Sequence, residues 1–344
     1  MRIVYLLVIL FFLSCKPDPA HITPPDIVHY DINVPAGLPT MPVPEGNPTT
    51  VSGVALGRKL FFDKRLSANN TQSCASCHNQ KFFFSDSSNR FSVGIDGISG
   101  TRNSMPLFNI GYSKRLMWDG AATSLENQAR LPITNPIEMH ESMENVVLKL
   151  QADAQYPTLF KNAFGTETIT QTLIFMALAQ FERTLLSANS KFDQWRRGLV
   201  SLTPQEERGL QVYLAEDKGH CIHCHTYGST FTDYDFKNTG LDSIYSDPGY
   251  GQVTGKSSDF GKFKTPSLRN VALTSPYMHD GRFTTLMQCV EHYNSGFHYS
   301  QNLAPELATA LKNRMTTQDM EDLVVFLHTL TDTTFLSNTN FSAP

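Results

Sequence analysis

Cys74-Ala75-Ser76-Cys77-His78 and, 147 residues later, Cys221-Ile222-His223-Cys224-His225 decide how this chain is read. Each is a C-x-x-C-H motif. That spacing lets two thiols add to the two vinyl groups of one porphyrin as thioethers, while the adjacent imidazole reaches the iron as its proximal ligand. A chain of 344 residues with 6 cysteines and 11 histidines holds about 0.003 such matches by composition alone. The rival readings are a disulfide within each C-x-x-C, or a zinc site shared between the two clusters. Neither explains why the surrounding sequence also repeats.

After the first motif come Arg102-Asn103, Trp118-Asp119-Gly120 and Thr123-Ser124-Leu125; after the second come Arg269-Asn270, His279-Asp280-Gly281 and Thr284-Thr285-Leu286. Glycine and leucine are five residues apart in both copies. The pattern looks like a duplicated cytochrome c unit, mainly α-helical, with one covalent haem in each of two tandem domains. Trp118 then corresponds to His279, a divergence that points to different work in the two halves.

Outward from the motifs, composition sets the limits. Lys plus Arg (28) against Asp plus Glu (32) gives a net charge of −4, so no basic surface invites nucleic acid. With 23 Phe and 12 Tyr the chain carries more apolar area than a disordered one. Residues 1–14, one arginine and then an apolar run too short to span a bilayer, read as a lipoprotein-type signal ending at Cys15. Acylated there, Cys15 would anchor the protein on the periplasmic side of a bacterial membrane without a spanning helix. Residues 15–48 are proline-rich and read as an extended tether. The two haem domains are then expected at 49–198 and 199–335. Helices are expected over Thr168–Ser187, from the Thr203-Pro204-Gln205-Glu206 capping box, and over Thr317–Leu330, with a long loop over Thr226–Lys264.

These features, together with Gln128, Pro136-Ile137-Glu138-Met139, Thr265-Pro266-Ser267-Leu268-Arg269-Asn270 and Pro276-Tyr277-Met278-His279-Asp280-Gly281, resemble the bacterial di-haem cytochrome c peroxidases and the MauG-type enzymes of the same superfamily. The resemblance runs from about Gly53 to Leu330. It implies a peroxidatic N-terminal haem held by Cys74, Cys77 and His78, and an electron-relaying C-terminal haem held by Cys221, Cys224 and His225. It implies a tryptophan between them at Trp118, a distal polar pair at Gln128 and Glu138, and further haem contacts at His279 and Arg269. It also implies a Ca²⁺ between the domains, on Asn103, Thr274 and Pro276, all hard oxygen donors. The activity implied is reduction of hydrogen peroxide with electrons from a small cytochrome c or copper protein; oxidation of residues on a partner protein and simple electron carriage are the alternatives. The resemblance also allows a homodimer.

Two departures from the peroxidases matter. The loop Ser92-Val93-Gly94-Ile95-Asp96-Gly97 has no histidine where activation-dependent members place a distal one, and none occurs between His78 and His140. The first iron is therefore expected to keep an open sixth position. At the second haem, the position of the peroxidases' methionine is Tyr293, as in the MauG-type enzymes. Met278, Met287, His292 and His298 are rival ligands, and Cys289 reads as a buried thiol.

Overall fold

The computed structural model describes residues 28–86, 89–309 and 312–344. The signal run, Cys15 and the first part of the tether lie outside them. The described part of the tether departs from expectation. Rather than standing free, it lies against the body: Met41 and Asn47 are buried, and the Pro39 carbonyl accepts from the Tyr112 hydroxyl at 2.8 Å. Proline prevents regular pairing there, but not burial of the side chains between prolines.

The chain is helical, with one strand pair of two residues each, in which Phe236 faces Lys264 and Lys237 faces Phe263. Among the described residues no helix is long and apolar enough to cross a membrane. The expected helices form at Gln171–Glu182, Pro204–Leu214 and Thr317–His328. Thr203 accepts from the Glu206 N–H and Glu206 reaches back, closing the capping box read from sequence.

Two hydrophobic clusters organise the packing. The first gathers side chains from Val54 to Leu185, centred on Phe61, Phe84, Phe160 and Phe181. The second runs from Phe192 to Leu330, around Tyr213, Phe231 and Phe326. Both borders differ from those expected. Phe192, on the Lys191–Arg196 helix, already belongs to the second cluster, so the changeover comes before residue 198. At the other end Phe335 and Phe341 return to the first cluster, where Phe335 stacks on Phe83.

The clusters are built alike. In the first, the Val51–Phe61 helix packs against Gln171–Glu182 so closely that a Cβ on Gly57 would collide with the Ala177 carbonyl. In the second, Gly209 faces the Asp322 carbonyl in the same way between Pro204–Leu214 and Thr317–His328. Only glycine permits either approach. The repeated Thr-Ser/Thr-Leu is a helix start in both copies: Ser124 caps Leu125–Thr134, and Thr285 caps Leu286–Glu291.

The repeat register needs one correction. Arg102-Asn103 is not the counterpart of Arg269-Asn270. Asn109 and Asn270 are equivalent: both have left-handed backbone (φ 57°), both precede a 3₁₀ turn, and both lie 11 residues before the repeated glycine. Their side chains meet at the seam. The Asn109 amide exchanges hydrogen bonds with the Ser187 backbone, the Asn270 amide donates to the Ser187 hydroxyl, and the Asn270 oxygen accepts from the Asp332 N–H. A matching dipeptide was the weaker guide; shared conformation and partners define the repeat.

Candidate functional site

The two C-x-x-C-H segments fold alike although one is a short α-helical turn and the other a 3₁₀ turn. His78 places Nδ1 2.9 Å from the carbonyl of Phe84, six residues on; His225 places Nδ1 3.3 Å from that of Phe231, again six on, and 3.1 Å from that of Pro266. Phe84 and Phe231 both adopt left-handed φ, which turns each carbonyl back toward its histidine. A carbonyl at Nδ1 fixes the tautomer with Nε2 unprotonated, the form that ligates iron. Burial also pushes both imidazoles below their usual range, keeping them neutral.

Cys74, Cys77 and His78 open onto a cavity of about 740 Å³, which Trp118, Gln128 and Glu138 also line. A porphyrin joined to Cys74 and Cys77 fits this space, with His78 on one side. Glu138 accepts from the Asn135 side chain at 2.7 Å, and burial, outweighing that bond, pushes its carboxyl above the usual range. Gln128 directs its amide at the Met117 sulfur, 3.8 Å away. The Ser92–Gly94 backbone reaches the cavity rim, and His140 is exposed and paired with Asp96. At the repeat position of Tyr293 the first unit carries Pro132, which lines the cavity and has no ligating side-chain atom.

Trp118 connects the halves. Its indole N–H donates to the Asn103 carbonyl at 2.8 Å, and the Asn103 N–H donates to the His279 carbonyl at 2.7 Å. The Trp118 carbonyl accepts from the Lys264 N–H, two residues before Pro266, whose carbonyl faces His225. His279 reaches the same cavity but stacks on Phe263, ring centres 3.6 Å apart, and burial pushes its pKa down to about 4.

Arg269, expected as a haem contact, meets an acid and a backbone carbonyl among the described residues. Fully buried, it spends its guanidinium on both oxygens of Asp193 (2.8 and 2.9 Å) and on the Ser229 carbonyl (2.6 Å), so it braces the loop that ends at Phe231.

Around the second motif, Tyr293 lies in a π-turn, His292–Gly296, that continues the Leu286–Glu291 helix. Such turns rotate one side chain out of helical register and recur at functional sites. The neighbours pin it: His292 bonds the Thr239 carbonyl through Nε2, and Asn294 bonds the Met315 backbone. His292 is buried with Nε2 committed to that carbonyl, and His298 is exposed. Burial pushes the Tyr293 phenol well above its usual range. Buried atoms Nε of Arg314 and Oε2 of Glu306 are unpartnered, as expected beside a group that belongs there. Cys289 is half-buried.

For the calcium set, Asn103 directs its amide nitrogen to the carbonyls of Asn89 and Arg90, at 3.2 and 3.1 Å. Its Oδ1 and the carbonyls of Thr274 and Pro276 accept no hydrogen bond among the described residues, which leaves their lone pairs open to a hard cation.

Sequence reading missed Glu182. It lines the first cavity, is buried with Oε2 unpartnered, and burial pushes its carboxyl up to about 8. On the Gln171–Glu182 helix it is the acid among the buried positions, and which of those positions faces the cavity is decided only on folding.

Residues 51–201 match the family model described as di-haem cytochrome c peroxidase. The methylamine utilization protein MauG of Methylorubrum extorquens is 40% identical over 85% of this chain and 81% of its own length. Cytochrome c peroxidase Ccp of Escherichia coli is 35% identical over 85% of this chain and 61% of its own. A crystal structure of a MauG-like protein associated with microbial copper homeostasis superposes with a TM-score of 0.84 at 34% identity, covering 92% of this chain and 99% of that one.

Proposed function

This chain belongs to the di-haem cytochrome c peroxidase and MauG family, and from that membership we propose that it reduces hydrogen peroxide to water with electrons from a small redox protein. One haem would be held by Cys74, Cys77 and His78 in a domain built on the first cluster. The other would be held by Cys221, Cys224 and His225, with Tyr293 as a further ligand, in a domain built on the second. Covalent attachment of this kind takes place outside the cytoplasm, in keeping with export and an acyl anchor at Cys15.

The observation that carries the reading is Glu138, a carboxyl with raised pKa, sharing one cavity with His78 and Gln128. A haem held by Cys74, Cys77 and His78 would supply the redox chemistry of peroxide reduction. Glu138 accepts a proton from the near oxygen of peroxide and returns it to the leaving oxygen, and a carboxyl that burial holds above its usual range suits the return step. The Gln128 amide orients the substrate. Trp118, hydrogen-bonded to Asn103 and through it to His279, gives electrons a route between the halves. Calcium on Asn103, Thr274 and Pro276 would hold that route's geometry, because Asn103 is both its ligand and a link in the chain.

A second reading, oxidation of residues on a partner protein, draws support from Tyr293. A phenolate is a hard, anionic ligand that favours ferric over ferrous iron, so the ferric protein would react with peroxide without prior reduction. Anaerobic stopped-flow mixing of the ferric holoprotein with peroxide tests both. A rapid change at the first haem supports the site assignment, and its absence rejects it. Decay of that change accelerated by reduced cytochrome c favours the peroxidase.

A further inference from the structure

The second C-x-x-C-H motif and the segment leading into it carry three donors that neither haem attachment nor peroxide chemistry uses. Glu216, His220 and His223 each offer one ligand atom, and these lie within 4.8 Å of one another. Oε2 of Glu216 is 2.7 Å from Nε2 of His223 and 3.5 Å from Nδ1 of His220. The two imidazoles stack, centres 4.0 Å apart and planes 20° from parallel, so their in-plane lone pairs run side by side and one ring must turn on its side-chain torsions for both to meet a single ion.

The backbone holds this arrangement. Beyond the Pro204–Leu214 helix the chain folds back, Gly219 N–H donating to the Val212 carbonyl and His220 N–H to that of Ala215. His220 takes left-handed φ (55°), uncommon for a residue with a Cβ, at the entrance to the Cys221–His223 turn. Lys218 ties the loop to Asp319 at 2.7 Å. As it stands, His220 Nδ1 also faces the Glu216 carbonyl at 2.9 Å, so each ring nitrogen in question shares a proton with an oxygen of Glu216.

We propose that Glu216, His220 and His223 form a site for a divalent transition-metal ion of the imidazole-preferring class, Cu(II) or Zn(II), on the exposed side of the second motif. Metal–nitrogen bonds of about 2.0–2.1 Å at tetrahedral angles separate neighbouring donors by about 3.3 Å. The separations from the carboxylate, 2.7 and 3.5 Å, bracket that edge. Binding displaces the two ring protons and leaves a fourth position for water. One carboxylate among two imidazoles suits Cu(II) and Zn(II) better than Ca²⁺ or Mg²⁺, which prefer oxygen. The site adjoins Cys221 and Cys224 but uses neither thiol nor His225, so it is compatible with haem at that motif.

The test uses the holoprotein with Cys289→Ser, stripped with EDTA, returned to Ca²⁺-containing buffer and titrated with Cu(II) by calorimetry and electron paramagnetic resonance. Expected are one Cu(II) per chain with hyperfine coupling to two nitrogens, competition by Zn(II), and weakening of at least about tenfold in either His220→Ala or Glu216→Gln. The haem spectrum serves as the folding control. His220→Ala and Glu216→Gln lie outside the C-x-x-C-H motif, so the reading does not depend on how a His223 variant loads haem. Binding no tighter than millimolar, or a tight site that survives His220→Ala with Glu216→Gln, overturns the proposal and leaves an ion pair between surface histidines and an acid.

Discussion

Replacing Glu138 by glutamine removes a proton carrier while leaving its surroundings in place. The isosteric side chain keeps the oxygen that accepts from Asn135 at 2.7 Å, and the Glu138 carbonyl still accepts from the Ile95 N–H at 2.9 Å. Fold and haem loading should therefore survive, and the loss should fall on the reaction. General acid–base transfer contributes about 10²–10⁴-fold, so the second-order rate with peroxide should fall by that factor, or about 3–5 kcal/mol of barrier. Asn135→Ala provides the converse. The Asn135 amide favours the ionised carboxyl, so its loss pushes the pKa of Glu138 further up, and the acidic limb of the pH–rate profile should move to higher pH. The assay is stopped-flow absorbance under pseudo-first-order peroxide across pH, with haem content checked in each variant. A Glu138→Gln protein with both haems loaded and a wild-type rate would refute the acid–base role.

Asp193→Asn leaves the buried Arg269 charge without its partner and should cost about 3–5 kcal/mol, read as a lowered thermal midpoint; a change under about 1 kcal/mol would contradict the bracing role. Burial opposes ionisation of Asp193, but Arg269 prevails and holds its carboxyl below the usual range. That stabilisation should thus be complete at neutral pH and lost only on acidification through the depressed pKa. Gly57→Ala and Gly209→Ala should each destabilise by about 1–3 kcal/mol or more by wedging apart the paired helices, and equal tolerance of alanine at both would deny the close approach. Chelation by EGTA should lower activity and perturb the haem spectra, with Ca²⁺ restoring both; full activity in calcium-free protein would remove the ion from the account.

Local chemistry was the legible part of this protein. The C-x-x-C-H motifs and the capping box at Thr203 are decided within a few residues, so sequence suffices for them. What it hid depends on long separations. Arg269 meets Asp193 across 76 positions, and Phe335 reaches the first core from beyond the second. The tether's docking through Met41 depends on a surface that exists only after folding. The repeat register went astray for a related reason: an Arg-Asn pair recurs by identity, whereas backbone conformation equates Asn109 with Asn270.

The central claim is that peroxide is reduced at the expense of a small electron donor. Anaerobic titration of peroxide into the holoprotein with excess reduced cytochrome c, and no other protein, tests it most directly. Reduction of hydrogen peroxide to water takes two electrons. The account predicts sustained turnover, with two reduced cytochromes oxidised for each peroxide consumed. Peroxide consumption without cytochrome oxidation, or turnover only when another protein is itself oxidised, would contradict it.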